Sequence, residues 1–184
     1  MTAAVPQAMA YPPSKRYQAF GAPSVKNVAA LFDTLGLRNR DAVRTAFFDA
    51  FAFNVLVGGT DAHAKNYSLL LRGSRVATAP LYDVASYAPH LRPGEALRSS
   101  MKVGEHWEVR DVTVQDWVSV GAALGLDEEK ALARVEDLRA SLPDAAIQAA
   151  DQAPPPFRKD AHRVAVAVAR QKHLRVPRLP QARR

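Results

Sequence analysis

The sequence predicts a mainly α-helical domain with one small β insertion, and three observations lead there. Apolar residues recur at three- and four-residue steps over most of the chain after Ser24. Alternation with a period of two is confined to short stretches, near residues 67–79 and 101–109. Glycines fall where the helical periodicity stops, at Gly36, Gly58-Gly59 and Gly125. The chain has 184 residues, 48% hydrophobic and 23% charged, which suits one domain with a core or one lobe of something larger.

Residues 1–23 carry Pro6, Pro12 and Pro13 and read as an irregular N-terminal segment. Ser24 can cap a helix reaching Leu35, with Val28, Leu31, Phe32 and Leu35 on one face. From Asp41 to Val57 the apolar stripe through Val43, Phe47, Phe51 and Val55 is backed by a second apolar side. Such a helix belongs in the middle of a bundle. Gly58-Gly59 ends it and frees the backbone for a tight turn into a polar loop, Thr60 to Asn66.

Tyr67–Leu71 and Arg75–Ala79 read as two strands joined at Gly73-Ser74, closed by Pro80. Residues 85–112 are loop-like, with a second strand pair between Met101 and Val109. Thr113 and Asp116 form a capping box before Trp117, Val118 and Leu124, and Gly125 stops that helix. Asp127 caps the next, with Leu132, Val135, Leu138 and Leu142 inward, and Pro143 opens a further short helix. The main body therefore spans 24–150. Residues 151–184 form a proline linker, a helix from Asp160 to about Arg175 and a basic tail.

The absence of cysteine excludes disulfide scaffolds, thiolate zinc sites and cysteine nucleophiles. No apolar run is long enough to cross a membrane and the first residues carry no signal pattern, so a cytoplasmic protein is expected. The net charge of +7 belongs to the C-terminus: no acid follows Asp160, whereas Arg163, Arg170, Lys172, Arg175, Arg178, Arg183 and Arg184 do. The rest is neutral. That tail admits three readings: a solvated end, a salt-dependent contact with DNA, or a protein-docking segment.

Three polar residues stand out against the apolar background. Asp61 follows the di-glycine, Asn66 comes five residues later, and Asp83 lies beyond the hairpin in Pro80-Leu81-Tyr82-Asp83. The spacing of Asp61 and Asn66 is that of a protein-kinase catalytic loop, where an aspartate reaches the attacking hydroxyl and an asparagine turns back to magnesium. A second carboxylate arriving across a hairpin would complete a hard-oxygen Mg²⁺ site. Simpler roles exist: Asp61 and Asn66 can serve an Asx turn, Asp83 can cap a helix, and His63 can be structural. Asp61-Ala62-His63 also has the form of one element of dinuclear metallophosphatases, although no other histidine stands in the matching contexts.

The longer string is more specific. Phe53-Asn54 through Gly58-Gly59-Thr60-Asp61-Ala62-His63-Ala64-Lys65-Asn66-Tyr67-Ser68-Leu69, followed by Ala79-Pro80-Leu81-Tyr82-Asp83-Val84, resembles the HipA family of bacterial serine/threonine kinase toxins. Lys15-Arg16-Tyr17, Met101-Lys102-Val103-Gly104-Glu105 and the Trp117–Leu126 helix extend the likeness over roughly residues 10–150, all within that family's C-terminal lobe.

The resemblance implies a helical, kinase-like C-lobe with a β-hairpin inserted at the catalytic loop. It implies Asp61 as the catalytic base, Asn66 and Asp83 as magnesium ligands, and His63 and Lys65 near the phosphates of ATP. It further implies a HipB-like helix-turn-helix antitoxin as partner and a protein substrate, in known members including aminoacyl-tRNA synthetases. The residues before Asp61 hold neither a glycine-rich phosphate loop on a strand nor a strand-borne lysine. The expectation is therefore a C-lobe whose N-lobe comes from a separate polypeptide. A truncated, non-catalytic remnant that binds antitoxin or DNA is the rival.

Overall fold

A computed structural model describes residues 2–12 and 17–171, the side chains of 37–39 apart. Lys15, Arg16 and the basic tail from Lys172 onward lie outside the described residues. The chain runs β1 (Thr2–Ala4), α1 (Val5–Ala8), α2 (Val25–Asp33), α3 (Leu37–Leu56), β2 (Ser68–Arg72), β3 (Arg75–Thr78), β4 (Arg98–Val103), β5 (His106–Glu108), α4 (Val114–Ala123), α5 (Glu128–Asp151) and α6 (Arg158–Ala169). The architecture is mainly α, with two small antiparallel sheets.

The central helix is α3. Val43, Phe47, Phe48, Phe51, Ala52 and Val55 are all buried along it, so it contacts neighbours on several sides, as its two apolar faces require. Phe32 of α2 meets Phe47 edge-on at 5.6 Å, and Tyr67 meets the same ring at 4.9 Å. On the other flank Trp117 of α4 packs edge-on against Phe48 and Phe51. Helices α2, α4 and α5 thus complete one core around α3.

Local capping chemistry sets the helix starts. Ser24 Oγ accepts from Asn27 N at the head of α2, Thr113 Oγ1 accepts from Asp116 N at α4, and Asp127 Oδ1 accepts from Lys130 N at α5. Helix α3 begins before the expected Asp41, directly after Gly36, because only the short link 34–36 separates it from α2. The N-terminal segment differs from its irregular expectation. Thr2–Ala4 pairs antiparallel with Ser68–Leu70, so β2 lies between β1 and β3. Val5 N then donates to the Tyr67 carbonyl at 2.9 Å, and the buried Val5 side chain joins the core.

The other difference is Pro143, which lies inside α5 instead of opening a new helix. A proline in a helix interior removes a hydrogen bond and costs roughly 3 kcal/mol. Packing supplies the compensation. Leu142, next to the proline, is buried with Val168 of α6, Leu56, Val57 and Ala88 in a second apolar cluster. Helix α6 packs along α5, so the described part of the segment after residue 150 lies against the body. Among the described residues no helix is long and apolar enough to cross a membrane.

Candidate functional site

The loop between α3 and β2 is built by its glycines. Gly58 adopts φ +77°, a left-handed conformation that side chains disfavour. A Cβ on Gly59 would lie 2.9 Å from the Asn54 carbonyl, which already accepts a hydrogen bond from Gly59 N at 2.7 Å. The chain can therefore fold back on the last turn of α3 only with glycine at that position.

Distant segments hold the carbonyls that this turn exposes. Ser86 Oγ donates to the Val57 carbonyl, Tyr87 N to the Gly58 carbonyl and Ser100 Oγ to the Thr60 carbonyl. Asn54 is buried and donates to Ala50 O and to the hydroxyl of Tyr67, tying α3 to the start of β2. Burial pushes the Tyr67 phenol well above its ordinary value, so that hydroxyl stays protonated. The loop is a fixed platform.

On it, Asp61 is exposed and Asn66 is buried within a single 3-10 turn, Ala64–Asn66. Asn66 Nδ2 donates to the backbone carbonyl of Asp61 and to Asp83 Oδ2, both at 3.3 Å. One amide therefore gathers the two ends of the loop and the carboxylate from beyond the hairpin. Its Oδ1 is left to accept or to ligate. The Asx reading of this loop describes the first of those bonds and leaves the second unexplained.

Asp83 has φ +56°, a backbone conformation uncommon for any residue but glycine. No helix begins after it, so its carboxylate does not serve as a helix cap. Its neighbour Tyr82 anchors the strained turn by donating to the Lys65 carbonyl and pairing with Ser68 Oγ at 2.9 Å. Lys65 is half-buried on the same 3-10 turn.

His63 is only 8% exposed, and its Nδ1 has no hydrogen-bond partner among the described residues. Tyr17 packs edge-on against that imidazole with ring centroids 5.6 Å apart, and its hydroxyl donates to Asp61 Oδ1 at 2.8 Å.

The donor set suits Mg²⁺. Asn66 and Asp83 offer hard oxygens, too few for an all-protein cage but matched to an ion completed by phosphate oxygens and water. Among the described residues no group of three or more His, Cys, Asp or Glu side chains is placed to hold a metal by itself, as a dinuclear hydrolase would need. Sequence reading placed Asp61, His63, Lys65 and Asn66 in one loop and Asp83 beyond the hairpin. It missed the anchors Tyr82, Ser86 and Ser100, and Tyr17 had no individual role. Their partners are distant in sequence, so no local pattern marks them.

A family model described as the HipA-like C-terminal domain matches residues 3–146. Y4mE of Sinorhizobium fredii (strain NBRC 101917 / NGR234), whose name marks it as a candidate kinase, is 29% identical over 120 residues, 65% of this chain. A solved chain of the Shewanella oneidensis MR-1 toxin–antitoxin complex of HipA, HipB and operator DNA superposes with a TM-score of 0.76 at 21% identity, covering 94% of this chain. The chain spans 28% of the first relative and 42% of the second.

Proposed function

The chain belongs to the HipA-like C-terminal domain family, and from that premise we propose that it is the catalytic C-lobe of a protein serine/threonine kinase of toxin–antitoxin type. The observation that carries the reading is the Asn66 amide bridging the Asp61 backbone and the Asp83 carboxylate. In this reading that arrangement brings together a base, Asp61, and two metal-ligating oxygens, from Asn66 and Asp83.

In this reading Asp61, exposed at the loop's edge, accepts the proton of a serine or threonine hydroxyl as its oxygen attacks the γ-phosphorus of ATP. The bond from that phosphorus to the bridging oxygen breaks and ADP leaves. Asn66 and Asp83 would hold Mg²⁺, which when bound would offset charge on the phosphates. His63, at the head of the 3-10 turn, and Lys65, on it, are assigned in this reading to the neighbourhood of the phosphates. The chain spans only part of its relatives, and in this reading an N-lobe covers the nucleotide. A HipB-like antitoxin and operator DNA are the proposed partners, on the precedent of the Shewanella complex. The protein substrate is of the aminoacyl-tRNA synthetase kind or another cytoplasmic protein with an accessible serine or threonine.

Asp61→Asn tests the reading. It keeps the side chain's shape and a hydrogen-bond acceptor for Tyr17 but cannot take the proton. Phosphoryl transfer by the chain with its N-lobe should fall by at least about 100-fold while the thermal unfolding profile stays put. Transfer at the parental rate by Asp61→Asn would refute it.

A further inference from the structure

Tyr17 lies eight positions before the start of α2 and belongs to none of the helices or strands that build the loop, yet it reaches the candidate base. Its hydroxyl donates to Asp61 Oδ1 at 2.8 Å, and its ring covers the edge of His63 at an interplanar angle of 62°. Asp61 is exposed and projects from a loop, so without a partner its carboxylate would sample several rotamers.

Tyr17 itself is anchored. Its carbonyl accepts from Phe20 N and Ala22 N, closing the 3-10 turn Gln18–Phe20 that ends at Gly21 with φ +83°. Gln18 Oε1 accepts from Lys102 N at 3.0 Å, which fastens that turn to β4. Strand β4 in turn reaches the loop through Ser100 Oγ and the Thr60 carbonyl. The phenol and the carboxylate it holds are therefore fixed to the same frame by separate routes.

We infer that Tyr17 is a positioning residue for Asp61. By engaging Oδ1 it sets the carboxylate's orientation and leaves Oδ2, which has no partner among the described residues, to accept the proton of the acceptor hydroxyl. By covering His63 it holds the loop that carries both. A partner one step behind the reacting group typically changes activity by about 10–100-fold when removed. The inference rests on the proposed phosphoryl-transfer reading.

The experiment compares the parent, Tyr17→Phe, Tyr17→Leu and Asp61→Asn. Each is assayed for Mg-ATP turnover in the form that shows it, the chain alone or with its N-lobe, and for Mg-ATP affinity by calorimetry. Tyr17→Phe keeps the ring on His63 and loses only the hydroxyl. It should lower kcat by about 10–100-fold with KM for Mg-ATP and the melting temperature unchanged. Tyr17→Leu should lose at least as much.

A purely structural tyrosine would be replaced by phenylalanine without effect, so parental kcat in Tyr17→Phe overturns the inference. A rise in kcat also overturns it, because it would mean that the phenol blocks the base. Failure of the wider reading looks different: no Mg-ATP binding or turnover in any form, or parental turnover in Asp61→Asn.

Discussion

Replacing Asp116 by alanine should unfasten the β4–β5 hairpin from α4, and the cost can be worked out bond by bond. Asp116 is 6% exposed. Its Oδ2 accepts from Thr113 N at 2.8 Å and Thr113 Oγ1 at 2.7 Å, and pairs with His106 Nδ1 at 2.9 Å. Its Oδ1 accepts from Glu105 N at 3.1 Å. Hydrogen bonds to a charged acceptor contribute about 1.5–3 kcal/mol each, but they are not additive, and water can reach the exposed Thr113 and Glu105 backbone. A total loss of about 3 kcal/mol is expected, read as a lower urea midpoint at pH 7 with an unchanged slope.

The pH dependence has a definite sign. Burial pushes the Asp116 carboxyl up, but the bonds from Thr113, Glu105 and His106 outweigh it and hold the group below its ordinary value. The unfolded chain therefore takes up this proton more readily than the folded one. The contribution is full above the unfolded value, about 3.9, and is lost as pH falls through the folded value. The gap between parent and Asp116→Ala should be constant at neutral pH and shrink below about pH 4. A gap under about 1 kcal/mol at pH 7, or one that widens on acidification, would refute the reasoning.

Two further predictions concern the frame. In Gly104→Ala the new Cβ would lie 2.2 Å from Asp116 Oδ1 at a residue with φ +58°, so urea unfolding should show a loss of about 2–4 kcal/mol. That loss should be smaller in an Asp116→Ala background, where the clashing carboxylate is gone; strict additivity would contradict the shared contact. Arg134 of α5 pairs through Nε and Nη2 with Asp49 of α3, both about a third exposed. Arg134→Met keeps the apolar stem and should cost about 1 kcal/mol or less, with the difference fading in 1 M NaCl, whereas a loss above about 2 kcal/mol would contradict it.

How much was legible in the sequence follows from how local each determinant is. Ser24, Thr113 and Asp127 cap helices through neighbours three residues away, so α2, α4 and α5 start where the sequence places them. Strand β1 is set by pairing with Ser68–Leu70, far along the chain, and nothing in Thr2–Ala4 announces it. Pro143 misleads because its local cost is outweighed by tertiary packing, in which Leu142 is buried in one cluster with Val168 of α6. The loop from Asp61 to Asn66 was readable from its glycines and spacing. The left-handed backbone of Asp83 and the reach of Tyr17 to Asp61 were not, because both depend on long-range hydrogen bonds.

Calorimetric titration with Mg-ATP of the purified chain, alone or with its N-lobe, beside Asp83→Ala and a magnesium-free control, tests the central claim most directly. The account predicts saturable binding that requires magnesium and is lost, or weakened at least about tenfold, in Asp83→Ala, with the variant still unfolding cooperatively above the assay temperature. Nucleotide binding that needs no magnesium, or that Asp83→Ala leaves unchanged, would contradict it.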